Sequence, residues 1–139
     1  MRFMLLRKAD AKTEAGVLPK ADLLEAMGHY IQDMAAADIL LSGEGLQASS
    51  KGARVRFVDG TPAVELGAFA APETLLSGYF VIQVASLDDA IAWVKRWPRL
   101  DGDGSVDIEI RQLFEADDFG SELSPELRKA ESCLRARAA

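Results

Sequence analysis

Residues 79–84, Tyr79-Phe80-Val81-Ile82-Gln83-Val84, put large apolar side chains on both sides of an extended chain. Tyr79, Val81 and Gln83 point one way, and Phe80, Ile82 and Val84 point the other. A strand with a single amide among six residues belongs in the middle of a sheet, with cover on both faces. The segment before it, 66–78, opens at Gly67 and continues Ala68-Phe69-Ala70-Ala71. None of those side chains has a reason to face water, so this loop is expected to fold over the body or to pack on a partner.

The rest of the chain supplies the neighbours that such a strand needs. Residues 2–7 are short and apolar and read as a second central strand. Residues 9–18 are polar, contain Gly16 and read as a loop. Residues 19–37 read as a helix, with Pro19 in its first turn. Leu23, Met27, Tyr30 and Met34 recur there at helical spacing, and Leu24 and Ile31 widen the stripe. Residues 39–42 read as a short strand broken by Gly43-Glu44-Gly45. Residues 53–58 and 63–66 flank Asp59-Gly60, a strong hairpin signal. Ser86 caps a helix over 87–97 that Pro98 ends, with Asp88 and Asp89 at its positive end. Residues 106–113 alternate strictly, with Val106, Ile108 and Ile110 inward and Asp107, Glu109 and Arg111 outward. An acidic linker, 115–122, leads to a last helix opened by Ser124-Pro125.

Composition narrows the function. The 139 residues fit one domain, divided here into a main unit over 1–121 and a helical extension over 122–139. Lys and Arg number 16 against 22 Asp and Glu, a net charge of −6. An acidic chain repels nucleic acid and anionic membranes, so neither is expected as a partner. The apolar run at 3–6 is too short for a secretory segment, which needs about 7–15 apolar residues. A single cysteine, Cys133, suits a reducing, cytoplasmic setting. Neither a Walker loop nor a strand–GxGxxG–helix unit is present, and no cofactor or metal is expected. Asp101-Gly102-Asp103-Gly104 lacks the spacing of a calcium loop and reads as a solvated turn.

This order of elements predicts an α+β, ferredoxin-like fold with two helices on one face of a mainly antiparallel sheet. The other face is then expected to be covered by a second copy of the chain, giving a homodimer. Residue by residue, the chain resembles the YCII-related family, in particular the branch named for an Asp-Gly-Pro-Phe motif. Gly67, Phe69 and Ala70 match that motif, and Leu76, Gly78 and Tyr79 match the Leu-Gly-Gly-Tyr that follows it. Ser86-Leu87-Asp88-Asp89-Ala90, Trp93 and Trp97-Pro98 fit the same pattern around the second helix. The motif's Asp is Leu66 here, its Pro is Ala68 and its Glu is Ala71. The resemblance implies a dimeric α/β barrel with a cleft near the first helix and the motif loop, and an activity that is largely unassigned. A His–Asp pair has been proposed as an enzyme site in another branch.

Five residues are candidates for that cleft. His29, the one histidine, is either an exposed member of a charge ladder with Glu25 and Asp33 or a general acid/base oriented by a carboxylate. The helical wheel sets it about 140° from the apolar stripe. Glu44 is either a turn residue in water or a carboxylate projected into a pocket between two glycines. Arg56, with Arg54, either binds an anion or pairs with Glu65 across the hairpin. Phe69 and Tyr79 either wall a ligand pocket or pack the loop on the sheet and a partner. Two functions stay open at this point. One is a homodimeric, cytoplasmic small-molecule-binding or interaction module, with a regulatory role implied by the resemblance. The other is a small enzyme using His29 at the dimer cleft.

Overall fold

β1, Arg2–Lys8, is hydrogen-bonded along both edges, to β5 (Leu76–Gln83) and to β6 (Ile108–Gln112). β2 (Leu40–Gly45) completes the sheet, in the order β2-β5-β1-β6, with every pairing antiparallel. Both central strands are therefore where their sequences put them. The computed structural model describes residues 1–138. Its helices are α1 (Ala11–Glu14), α2 (Ala21–Ala36), α3 (Leu87–Val94) and α4 (Pro125–Ala138). The succession β1–α2–β2–β5–α3–β6 with that strand order is ferredoxin-like. β2 and β6 end the sheet, so it is open within one chain. Ala139, the last residue of the expected extension, lies outside the described residues.

The core lies on the face of the sheet that α2 and α3 cover. Phe3, Leu5, Phe80 and Ile82 from the sheet meet Tyr30 and Met34 of α2 and Ala90 of α3. Each large side chain buried there contributes about 1.5–3 kcal/mol. Tyr30, Phe80 and Trp97 form an aromatic trio, with ring centroids 5.5–6.2 Å apart. Burial pushes the Tyr30 hydroxyl pKa up to about 12. That hydroxyl donates to the Trp93 carbonyl at 3.0 Å.

Several local expectations change. Residues 9–18 are not all loop: Asp10 and Thr13 form a capping box that starts α1, each side chain bonding the other's backbone N–H at 2.9 Å. α2 starts at Ala21 with extended Lys20 at its cap, leaving Pro19 just outside. Leu24 is exposed, so the stripe of α2 is narrower than the pattern implied. The two glycines around Glu44 do not break β2. A Cβ on Gly43 would sit 2.2 Å from Cδ1 of Phe80, so only glycine lets that ring lie against the strand. α3 is capped by Ser86, whose Oγ accepts from the Asp89 amide at 3.1 Å.

β3 (Ala53–Val58) and β4 (Thr61–Leu66) pair with each other alone, as a separate two-stranded sheet. All twelve residues of this hairpin are exposed. The acidic linker is a 3-10 turn over Ala116–Glu122 leading to Ser124, which caps α4. α4 is tied to the body by ion pairs, Arg128 to Asp117 at 2.7 Å and Arg135 to Glu115 at 3.1 Å. Its Leu127 and Leu134 face solvent. Among the described residues, no helix is long and apolar enough to cross a membrane.

Candidate functional site

The face of the sheet away from α2 and α3 is built from two rows that cross all four strands. Register places Glu44, Tyr79, Leu6 and Glu109 side by side in one row. Ser42, Val81, Met4 and Arg111 form the next. Tyr79, Leu6, Val81 and Met4 thus make an apolar strip with polar groups at both ends. An apolar centre inside a polar rim is the anatomy of an interface. Glu44 is exposed at one end of this strip, on edge strand β2. Glu109, at the other end, is held by Arg111 at 3.1 Å.

Phe69 lies apart from that strip, at the root of the hairpin. Its amide donates to Ser49 Oγ at 2.9 Å, and Ser49 in turn bonds the Glu14 carboxylate through its own amide, at 3.0 Å, and its hydroxyl, at 2.5 Å. The Arg54 guanidinium stacks on the Phe69 ring, 3.9 Å from the centroid. A Cβ on Gly67 would meet the Ser49 carbonyl oxygen at 1.7 Å. The Gly67–Ala68 peptide is cis. The close approach of Gly67 to the Ser49 carbonyl and the Phe69–Ser49 hydrogen bond make both latch residues that hold the loop on the Ser49 turn. Arg56 lies on the exposed hairpin, 4.0 Å from Glu65.

His29 is exposed on α2, and among the described residues no hydrogen bond or ion pair reaches it. Asp33, one turn on, is engaged elsewhere, by Arg96 of the turn after α3 at 2.8 Å. The five candidates thus fall into three places: Glu44 with Tyr79 on the sheet, Phe69 and Arg56 on the loop and hairpin, and His29 alone. Two surface clefts, of about 220 and 430 Å³, are lined by other residues: Asp10, Lys12 and Asp103 at one, Gln112, Phe114 and Asp118 at the other. Among the described residues no group of three or more His, Cys, Asp or Glu is placed to hold a metal ion.

A buried polar cluster escaped the sequence reading. Arg7 and Asp101 are both buried and joined by two hydrogen bonds, of 3.0 and 2.5 Å. Arg7 also donates to Asp10, Ser77 and the Lys8 carbonyl, and Trp97 Nε1 donates to Asp101 at 2.8 Å. Burial opposes the Arg7 charge, yet Asp101 and Asp10 outweigh it and raise the guanidinium pKa. Burial likewise opposes the Asp10 carboxylate, and the Thr13 amide with Arg7 brings its pKa below the ordinary value. The Asp-Gly turn is therefore an anchor whose acid faces inward. One signal could have found it: Arg7 shares the inward parity of Phe3 and Leu5, and a buried guanidinium requires an acid.

The model of the YCII-related domain matches residues 1–115, the span from β1 through the end of β6 and into the linker. The chain belongs to the YCII-related family. This YCII-related domain stops short of α4. No curated protein matches the chain. Among solved structures, it is similar to 5-chloro-2-hydroxyhydroquinone dehydrochlorinase from Burkholderia phenoliruptrix AC1100, in complex with 2,5-dihydroxybenzoquinone. Sequence identity is 12%, the TM-score is 0.47, and the match covers 85% of this chain and 98% of that one.

Proposed function

We propose that this YCII-related protein is a homodimeric binding module of the cytoplasm, a degenerate member of the Asp-Gly-Pro-Phe branch. It holds a small molecule or a protein partner on the uncovered sheet face beside Glu44 and Tyr79. The observation that carries this reading is the strip Tyr79–Leu6–Val81–Met4 on the sheet face away from α2 and α3: Val81 is buried, Tyr79, Leu6 and Met4 stay half-buried, and charged or polar groups stand at its ends. A second copy across that face would complete the two-layer cover that a sheet needs. The extension from residue 122, outside the family domain, then acts as an arm that its ion pairs hold beside the dimer.

Acid–base chemistry at His29 has less support. The reading needs a carboxylate within hydrogen-bond reach to orient the imidazole. Asp33, one turn on, serves Arg96 instead, and the motif's own acids are Leu66 and Ala71 here. Phe69 and Gly67 are occupied in closing the loop.

Light scattering of the full chain tests the dimer, and a thermal-shift screen of small planar acids and phenols tests the ligand. A mass of twice the chain, together with shifts that Tyr79→Ala abolishes, is the expected result. A monomer at all concentrations would overturn the reading.

A further inference from the structure

The hairpin β3–β4 carries a surface that one chain leaves unused. Its strands alternate so that Val55 and Phe57 share a face with their cross-strand neighbours Val64 and Pro62, and with Leu66 opposite Ala53. Val55 is 53% exposed, Phe57 and Val64 67% and Leu66 75%. Arg54, Arg56 and Glu65 take the other face. The pattern is that of a half-buried strand pair, yet among the described residues nothing buries it. A lone two-stranded hairpin is marginal in water, and three strands or a packed face are needed to hold it. The hairpin is nonetheless firmly rooted. Gly67 N–H donates to the Gly52 carbonyl at 3.0 Å, and the Ser49–Glu14–Phe69 latch grips both of its ends. A rooted arm with a bare apolar face is built to reach another surface.

We infer that this hairpin is a clasp: in the dimer, each copy lays the Val55–Phe57–Val64–Leu66 face on the other copy's apolar strip at Leu6, Met4 and Tyr79. The inference rests on the dimer reading above and says which surfaces meet. Area favours a second copy as the occupant. The four hairpin side chains leave on the order of 500 Å² exposed, at about 150–250 Å² for a large side chain. Packed only against the same face of its partner, the hairpin would bury about 1,000 Å², below the roughly 1,200–2,000 Å² of a stable interface. Laid on the sheet of the other copy, the contact is made twice about the two-fold axis and adds the half-buried strip at each seat, which brings it to the lower end of that range. The arm would also roof the Glu44–Tyr79 row, so each binding face would be completed by Phe57 of the second copy.

The test uses the full chain. Phe57→Asp with Val64→Asp should raise the dimer dissociation constant at least about thirtyfold, as loss of a hot spot does, with the far-UV circular dichroism of the main sheet and helices retained. Mixing Phe57→Cys chains with Leu6→Cys chains, both carrying Cys133→Ser, should give a covalent heterodimer under a short bifunctional maleimide. The second measurement does not depend on the charged variant keeping its hairpin. If the wild type is monomeric, the dimer reading and the clasp fall together. If the dimer survives the charged substitutions with its hairpin folded, or if Phe57→Cys chains cross-link only to one another, the clasp is overturned and the dimer reading stands.

Discussion

Arg7 and Asp101 stand ninety-four residues apart in the chain and face each other through two hydrogen bonds in a buried site. The pair joins the end of the first strand to the turn before the last one. Trp97, Ser77 and Asp10 complete it, so the cap of α1, the turn after α3 and two central strands share one polar anchor. Asp101→Ala should therefore destabilise the chain by about 3–5 kcal/mol, because it strands a buried guanidinium. Replacing both partners by leucine should cost less. Urea unfolding of the two variants gives the comparison, and equal losses would show that the stranded charge is not what makes Asp101→Ala costly.

Gly67→Ala should open the loop. Its new Cβ has no space above the Ser49 carbonyl, and backbone on both sides leaves nothing flexible to move. A loss of about 1–3 kcal/mol or more is expected, as for overpacked sites. Amide hydrogen exchange at Phe69 should accelerate with it. A protected Phe69 amide in a destabilised variant would separate the latch from the loss.

α4 should detach in acid. The Arg2 guanidinium, at 2.9 Å, is the main cause that lowers the Glu115 pKa; burial opposes the shift and Arg135 adds to it. A carboxylate with a lowered folded pKa binds fewer protons folded than unfolded. Its contribution is thus present above the ordinary value of 4.5 and disappears as pH falls through the lowered one. The stability difference between the full chain and one ending at Glu122 should be largest near neutrality and shrink as pH falls below 4.5. High salt should shrink it as well, since these side chains are partly exposed. A difference that ignores both pH and salt would mean that the ion pairs do not hold the helix.

His29→Ala should leave stability within about 0.5 kcal/mol of the wild type, the usual range for a surface change. Ligand-induced thermal shifts should be unchanged too. A ligand response lost in this variant alone would return His29 to the site.

Much of this was legible in the sequence. Alternation in 79–84 and 106–113 marked the faces of β5 and β6, since side-chain parity follows from backbone geometry alone. Asp59-Gly60 announced the hairpin and Ser86 the start of α3, because turn and cap chemistry are local. The outward turn of His29 followed from helical spacing. What spacing could not supply was distance across the chain. Whether Glu44 sits in a turn or a strand depended on the Phe80 ring needing room over Gly43. Whether Asp33 was free to orient His29 depended on Arg96, sixty-three residues on. The role of Gly67 depended on the Ser49 carbonyl, and the role of Asp101 on Arg7. Local periodicity reflects forces within a turn or two of chain, and so it determined the strands, the helices and their faces. The polar pairings and close backbone contacts join segments that meet only after folding, and the tertiary structure alone decided which acid serves which base.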